Sequence, residues 1–84
     1  MKTFIYTYER KKNDINGNPK HWVTVYRLKR GLPVRLDRAE CGYSGKGPTI
    51  LRVAREAGEL TGPQAALRFY DLEKNKIAAF REVS

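Results

Sequence analysis

Residues 3–29, TFIYTYERKKNDINGNPKHWVTVYRLK, hold two stretches of aromatic and β-branched residues on either side of a turn-forming segment. From Phe4 to Tyr8, every second side chain is aromatic, and this period of two is typical of a β-strand. Asn16-Gly17 is a dipeptide that favours tight hairpin turns. Trp22–Lys29 is again rich in strand-forming residues. The stretch therefore predicts a β-hairpin at the start of the fold.

A third strand is predicted directly after this hairpin. Arg30–Pro33 contains glycine and proline and is typical of a turn. Val34–Ala39 then alternates, with Val34 and Leu36 on one side and charged residues on the other. Since consecutive strands joined by short turns pair with each other, residues 3–39 predict a three-strand antiparallel meander.

A helix is predicted after the glycine-rich loop 42–48. Thr49 has a side chain suited to the N-cap of a helix, and Gly58 suits the position just beyond a helix end. Between them, apolar residues recur at helical spacing: Ile50, Val53, Ala54 and Ala57.

The last third of the chain permits two interpretations. Leu67–Leu72 and Ile77–Val83 are apolar stretches around a polar segment, which predicts a β-hairpin with Asn75 in the left-handed conformation. Thr61–Gln64 has the form of a capping box, which instead predicts a helix from about residue 62 followed by one strand. Both interpretations give an α+β fold, and the first places one helix on one face of a small antiparallel sheet.

Length and composition predict a single domain, 1–84. The chain has 84 residues, of which 40% are hydrophobic, and this is enough apolar material for one hydrophobic core. No apolar stretch approaches the roughly 18–20 residues that cross a membrane, and the first residues lack a signal-peptide core. Cys41 is the one cysteine, which excludes an internal disulfide. These features predict a cytoplasmic protein without a membrane segment.

Catalytic chemistry finds little support in the sequence. A zinc site needs about four nitrogen or sulfur ligands, whereas His21 and Cys41 are the single histidine and cysteine. The acidic residues are scattered and do not suggest a two-metal site. We therefore expect no enzyme activity, no catalytic residues, no metal and no cofactor. A metal-free nuclease or toxin that uses His21 remains an alternative.

The positive charge is concentrated in the first half of the chain. The net charge is +8, and residues 1–38 contain ten Lys or Arg against three acidic residues. Residues 39–84 nearly balance, with seven basic and six acidic residues. Because this excess exceeds what solubility requires, the charge predicts a nucleic-acid-binding meander that contacts phosphates. The alternative partner is an acidic protein that pairs with an exposed strand edge.

The predicted phosphate contacts fall into three groups. Arg27, Lys29 and Arg35 are expected to form a cationic stripe on the sheet, with Arg30 in the adjacent turn. Lys46 belongs to the glycine loop, where backbone N–H groups before a helix also suit a phosphate. The hairpin tip supplies three lysines: Lys11, Lys12 and Lys20.

Exposed aromatic side chains would add base stacking to these phosphate contacts. The candidates are Tyr6, Tyr8, Trp22 and Tyr26. The competing interpretation is that most of the aromatic residues build the core, since so small a domain needs large apolar side chains.

The segment 13–20, NDINGNPK, stands between two strands and resembles a hairpin of small uncharacterised phage and mobile-element proteins. The resemblance covers about the first half of the chain and rests on the turn motif. It implies a short accessory protein of a phage or mobile element. It assigns no catalytic or binding residues.

Overall fold

The computed structural model describes residues 2–11, 17, 20–41, 45–61 and 67–80. Within these ranges the chain forms a five-stranded sheet and one helix packed on it, which confirms the predicted α+β fold. In chain order, the elements are β1 (Thr3–Lys11), β2 (Lys20–Lys29), β3 (Leu32–Glu40), α1 (Lys46–Glu56), β4 (Leu67–Asp71) and β5 (Lys76–Phe80).

The predicted meander is confirmed, because β1 pairs antiparallel with β2 and β2 antiparallel with β3. The turn between β2 and β3 consists of Arg30 and Gly31, with φ of 51° and 78°. Two consecutive positive φ values are typical of the tight turn that matches strand twist. Leu32 and Pro33 therefore belong to β3, and the turn predicted over Arg30–Pro33 is shorter than expected. Of the first hairpin's tip, the structure describes Gly17 alone.

Helix α1 begins earlier than predicted. Its N-cap is Gly45, and Thr49, predicted as the N-cap, lies inside the first turn and is buried. There Thr49 Oγ1 donates a hydrogen bond of 2.9 Å to the carbonyl oxygen of Gly45. Pro48 fits this position because the first N–H groups of a helix have no partner within the helix.

The end of α1 agrees with the prediction for Gly58. This residue has φ of 77°, and its N–H donates to the carbonyl of Arg55 at 3.0 Å. The N–H of Glu59 donates to the carbonyl of Ala54 at 2.9 Å. The two bonds form a Schellman motif, which turns the chain back and fixes the backbone of Glu59.

The C-terminal hairpin is confirmed for the described residues. Strands β4 and β5 pair antiparallel, and Asn75 in their turn has φ of 50°, as predicted. Two backbone N–H groups of this turn bond to Asp71 Oδ1, which holds the turn closed. The capping-box segment, at residues 62–66, and the final residues 81–84 lie outside the described ranges.

The sheet is mixed and not antiparallel throughout as the sequence predicted, because one pair of neighbouring strands is parallel. The strand order is β3-β2-β1-β4-β5, and β4 lies beside β1 and runs parallel to it. All other neighbours are antiparallel. The chain leaves the meander at β3, crosses the sheet through α1, and returns at the far side of β1. Strand β1 is thereby the centre of the sheet, although it comes first in the sequence.

The core lies between α1 and one face of the sheet, which we call the helix face. Alternate residues of β1, β2 and β4 point to this face and meet the apolar side of α1. The core residues are Phe4, Tyr6, Val23, Val25, Ile50, Val53, Ala54, Leu60, Leu67 and Phe69. Among the described residues, the opposite face of the sheet, which we call the open face, contributes no residue to this core.

Candidate functional site

A row of side chains crosses the open face at the middle of the sheet. The strand register aligns one residue from each strand, because directly paired residues point to the same face. From β3 to β5 the row consists of Arg35, Tyr26, Ile5, Tyr70 and Ile77. We call it the central row. It joins an arginine, two tyrosines and two isoleucines into one strip.

The central row is accessible to solvent. Tyr26, Ile5 and Tyr70 are half-buried, and Ile77 is 61% exposed. The hydroxyl group of Tyr70 donates a hydrogen bond to Asn75 Oδ1, which orients the ring. A strip of apolar groups that solvent reaches on a sheet face is a candidate binding surface.

Basic side chains lie within and beside the central row. The described cations of the open face are Lys20, Arg35, Arg38 and Arg68, and its described carboxylates are Glu9 and Glu40. Both carboxylates belong to residues paired with Trp22, at one end of the sheet. The open face is therefore positive around the tyrosines and mixed in charge beside the tryptophan.

The guanidinium group of Arg38 packs on the indole ring of Trp22. The guanidinium carbon of Arg38 lies 4.4 Å from the indole centroid, a typical cation–π geometry. Arg38 Nη2 also donates a hydrogen bond of 2.7 Å to Glu9 Oε1. This contact holds the guanidinium over the indole while leaving Trp22 half-buried on the open face.

The structure corrects the predicted stripe of Arg27, Lys29 and Arg35. Arg27 and Lys29 follow Val23 and Val25 in the alternation of β2, and therefore lie on the helix face. Arg35 pairs with Tyr26 and lies on the open face. The three cations do not form one stripe.

Arg27 and Lys29 are bound by a carboxylate instead. Arg27 Nη1 lies 2.9 Å from Glu59 Oε2, and Lys29 Nζ lies 3.2 Å from Glu59 Oε1. Lys2 Nζ approaches the same side chain at 3.7 Å. Burial by itself raises the pKa of this carboxyl group, but the hydrogen bond from Lys29 and the three positive charges outweigh it. The pKa of Glu59 is therefore lowered.

We expect Glu59→Gln to lower the free energy of unfolding by about 1–2 kcal/mol, because the cations lose their negative partner. The half-exposed Lys29 keeps this figure small. The measurement is urea denaturation at neutral pH and low salt. Glu56→Gln is the matched control, since Glu56 is exposed on α1, and we expect a change within about 0.5 kcal/mol. Equal losses in both variants would refute the role of Glu59.

The other predicted site residues are dispersed. Lys20 lies at the start of β2, exposed and paired with the backbone of Lys11. Arg30 is exposed in the turn between β2 and β3. Lys46 lies on the helix side, with Nζ 4.1 Å from the ring centroid of Tyr8. Lys12 and the side chain of Lys11 lie outside the described residues.

His21 contacts Tyr8 rather than a catalytic carboxylate in the described part of the chain. The two rings stack with centroids 5.4 Å apart, and the Tyr8 hydroxyl is hydrogen-bonded to His21 Nδ1. Cys41, whose N–H bonds to the carbonyl of His21, is half-buried. Burial raises the pKa of its thiol more than the Thr49 hydrogen bond and nearby cations lower it.

The described residues contain no group of three or more His, Cys, Asp or Glu side chains placed to hold a metal ion. Among them, no helix has both the length and the apolar character to cross a membrane.

Sequence reasoning missed three residues of the open face: Arg38, Arg68 and Tyr70. Arg68 and Tyr70 alternate with the buried Leu67 and Phe69, so the sequence indicated that they lie on the side of β4 opposite the core. The sequence did not indicate that β4 lies beside β1, because strand order depends on contacts between residues that are distant in the chain. No protein-family model matches this chain, and no curated protein and no solved structure matches it either.

Proposed function

We propose that this chain is a non-enzymatic domain that binds nucleic acid on its open face. The observation that carries the proposal is the central row, which places two tyrosines and an arginine on a sheet face that contributes nothing to the core. Aromatic rings on an exposed surface stack with bases, and arginines contact phosphate oxygens. A net charge of +8 supports the attraction of a polyanion.

The proposal revises the residues expected to contact phosphates. Arg27 and Lys29 are occupied by Glu59, whereas Arg35 and Arg68 flank the tyrosines of the central row. The proposed phosphate contacts of the open face are Lys20, Arg35 and Arg68, because Arg38 is occupied by Glu9. They come from β2, β3 and β4, so the meander supplies most of the surface and the C-terminal hairpin completes it.

The test compares two double variants with the same change in charge. Arg35→Ser/Arg68→Ser removes two cations of the open face, and Arg52→Ser/Arg55→Ser removes two exposed cations of α1. The measurement is fluorescence anisotropy with labelled single strands of about 20 nucleotides, in DNA and RNA form, with the matching duplex. Thermal unfolding followed by circular dichroism verifies that each variant is folded.

We expect the affinity of the unmodified protein for the single strands to fall about 20-fold between roughly 50 and 200 mM salt, as about three phosphate contacts require. In Arg35→Ser/Arg68→Ser, the slope of log affinity against log salt should decrease by about 1.4, whereas the α1 variant should keep its slope. Equal effects of both variants would overturn the open face as the binding surface.

Two further outcomes separate the alternatives predicted from sequence. If no nucleic acid binds at about 50 mM salt, the proposal fails and an acidic protein partner becomes the better interpretation. If the labelled RNA is cleaved during the titration, and His21→Ala abolishes cleavage, the domain is a nuclease. We expect the RNA to stay intact.

A further inference from the structure

The two tyrosines of the central row form paired platforms. Tyr26 and Tyr70 belong to strands on either side of β1, so their backbones are about 10 Å apart. Ile5 lies between them and makes the strip between the rings apolar. The hydrogen bond from Tyr70 to Asn75 holds one ring in place before any ligand arrives. A preordered ring loses less conformational entropy on binding.

Platforms of this kind favour bases that are not paired. In a duplex the faces of the bases are covered by their neighbours, and proteins reach the base edges through the grooves. A ring that lies on a sheet contacts the face of a base, which is available where the strand is single. The described open face offers rings of this kind, with Arg35 and Arg68 beside them.

A third stacking position lies at the end of the open face that contains Trp22. Basic and acidic side chains are mixed there, whereas the surroundings of the two tyrosines are positive. The guanidinium of Arg38 covers the indole, and its outer plane is a surface on which a base stacks. Glu9 and Glu40 are paired with Trp22 in the register and repel phosphate groups. Phosphates are therefore favoured beside Arg35 and Arg68, and bases on the two tyrosines of the central row and on the Arg38–Trp22 pair.

From this geometry we infer that the ligand of the open face is single-stranded nucleic acid, with unpaired bases stacked on Tyr26, Tyr70 and the Arg38–Trp22 pair. The inference rests on the proposed function and narrows its ligand to one class. Sequence preference is weak in this arrangement, because every base has a face that stacks.

The first experiment compares two double variants of the tyrosines. Tyr26→Leu/Tyr70→Leu keeps apolar side chains but removes both rings, and Tyr26→Phe/Tyr70→Phe keeps the rings. Affinity is measured by anisotropy with a labelled mixed-sequence DNA strand, the RNA strand of the same sequence and the DNA duplex. Salt is held at about 50 mM, where phosphate contacts are strong.

We expect the unmodified protein to bind both single strands at least about tenfold more tightly than the duplex. Tyr26→Leu/Tyr70→Leu should weaken single-strand binding about 10- to 100-fold, and the phenylalanine variant should retain most of the affinity. The salt dependence of the leucine variant should be unchanged, because no phosphate contact is lost.

A second measurement uses the unmodified protein. Trp22 is the one tryptophan of the chain, so its fluorescence reports on the open face. We expect an unlabelled single strand to change this fluorescence strongly and the duplex to change it little, at concentrations that saturate each. This readout keeps the inference testable if the leucine variant is unfolded.

Failure of this inference differs from failure of the proposed function. If the duplex binds as tightly as the single strand and the leucine variant binds normally, stacking is refuted. The arginine variants would then still decide whether the open face contacts phosphates. If neither nucleic acid binds at about 50 mM salt, both the function and its narrower form are wrong.

Discussion

The variant Phe4→Ala is expected to lose about 3–5 kcal/mol of unfolding free energy, enough to remove much of the stability of a small domain. Phe4 lies on the central strand β1 and is fully buried. Its ring stacks on Phe69 with centroids 5.7 Å apart, and the guanidinium of Arg27 lies 5.9 Å from its centroid. Truncation therefore opens a cavity where β1, β2 and β4 meet.

The neighbouring residue is the control for Phe4→Ala. Ile5 follows Phe4 on β1 but lies half-buried on the open face, so Ile5→Ala should cost no more than about 1–2 kcal/mol. Urea denaturation followed by circular dichroism measures both variants. A loss for Ile5→Ala as large as that for Phe4→Ala would contradict the assignment of the two faces.

Replacing Asp71 by alanine is expected to cost about 2–3 kcal/mol at neutral pH, because a buried hydrogen-bonded carboxylate is removed and its donors are left without a partner. The Tyr6 hydroxyl donates to Asp71 Oδ2 at 2.7 Å. The N–H groups of Glu73 and Lys74 donate to Oδ1 at 3.1 and 3.3 Å. The Asp71 side chain thus connects Tyr6 of β1 to the turn between β4 and β5.

The same contacts predict the pH dependence of stability. Burial by itself raises the pKa of Asp71, but the hydrogen bonds from Tyr6 and the turn, with the charge of Lys46, outweigh it and lower the pKa. A carboxyl group whose folded pKa is below its ordinary value of about 4 stabilises the fold above that pH. This stabilisation is lost as the pH falls from about 5 towards 3.

Unfolding free energies at several pH values test the assignment. The unmodified protein should lose more stability between about pH 5 and pH 3 than Asp71→Ala, which lacks the titrating group. Tyr6→Phe removes one donor and should lose less than Asp71→Ala, and the double variant should lose less than the sum of the two. Parallel pH curves for the unmodified protein and Asp71→Ala would show that this carboxylate does not contribute.

The open face depends on the same core contacts. The core side chains Phe4 and Phe69 and the bond from Tyr6 to Asp71 hold β4 beside β1. That pairing brings Tyr70 next to Ile5 and completes the central row. Variants that weaken this contact are therefore unsuitable for binding tests unless their folded fraction is measured.

Local patterns in the sequence were sufficient to predict β1 to β3 and α1, but for the last third of the chain they left a helix as an alternative to β4. Alternation of side chains predicted β1 to β3, and apolar residues at helical spacing predicted α1. Gly58 and Asn75 have the positive φ expected of them, since these residue types adopt the left-handed conformation at low cost. These features depend on neighbours close in the chain.

The candidate site needed the tertiary structure. In the sequence, Arg27, Lys29 and Arg35 formed a plausible stripe, but Glu59, 32 residues after Arg27, binds two of them on the helix face. The pairing of β2 with β3 also shifts register between Val25 and Tyr26. Simple alternation along β3 therefore does not give the face on which each of its residues lies.

The sequence by itself determined that β1 to β3 become strands and α1 a helix, and it placed most of the positive charge in the meander. The tertiary structure decided that β4 pairs with β1, and therefore that Tyr70 and Arg68 join Tyr26 and Arg35 on one surface. The physical reason is how far apart in the sequence the interacting residues are. Alternation and turns are set by residues a few positions apart, whereas strand order is set by core packing between residues that are distant in the chain.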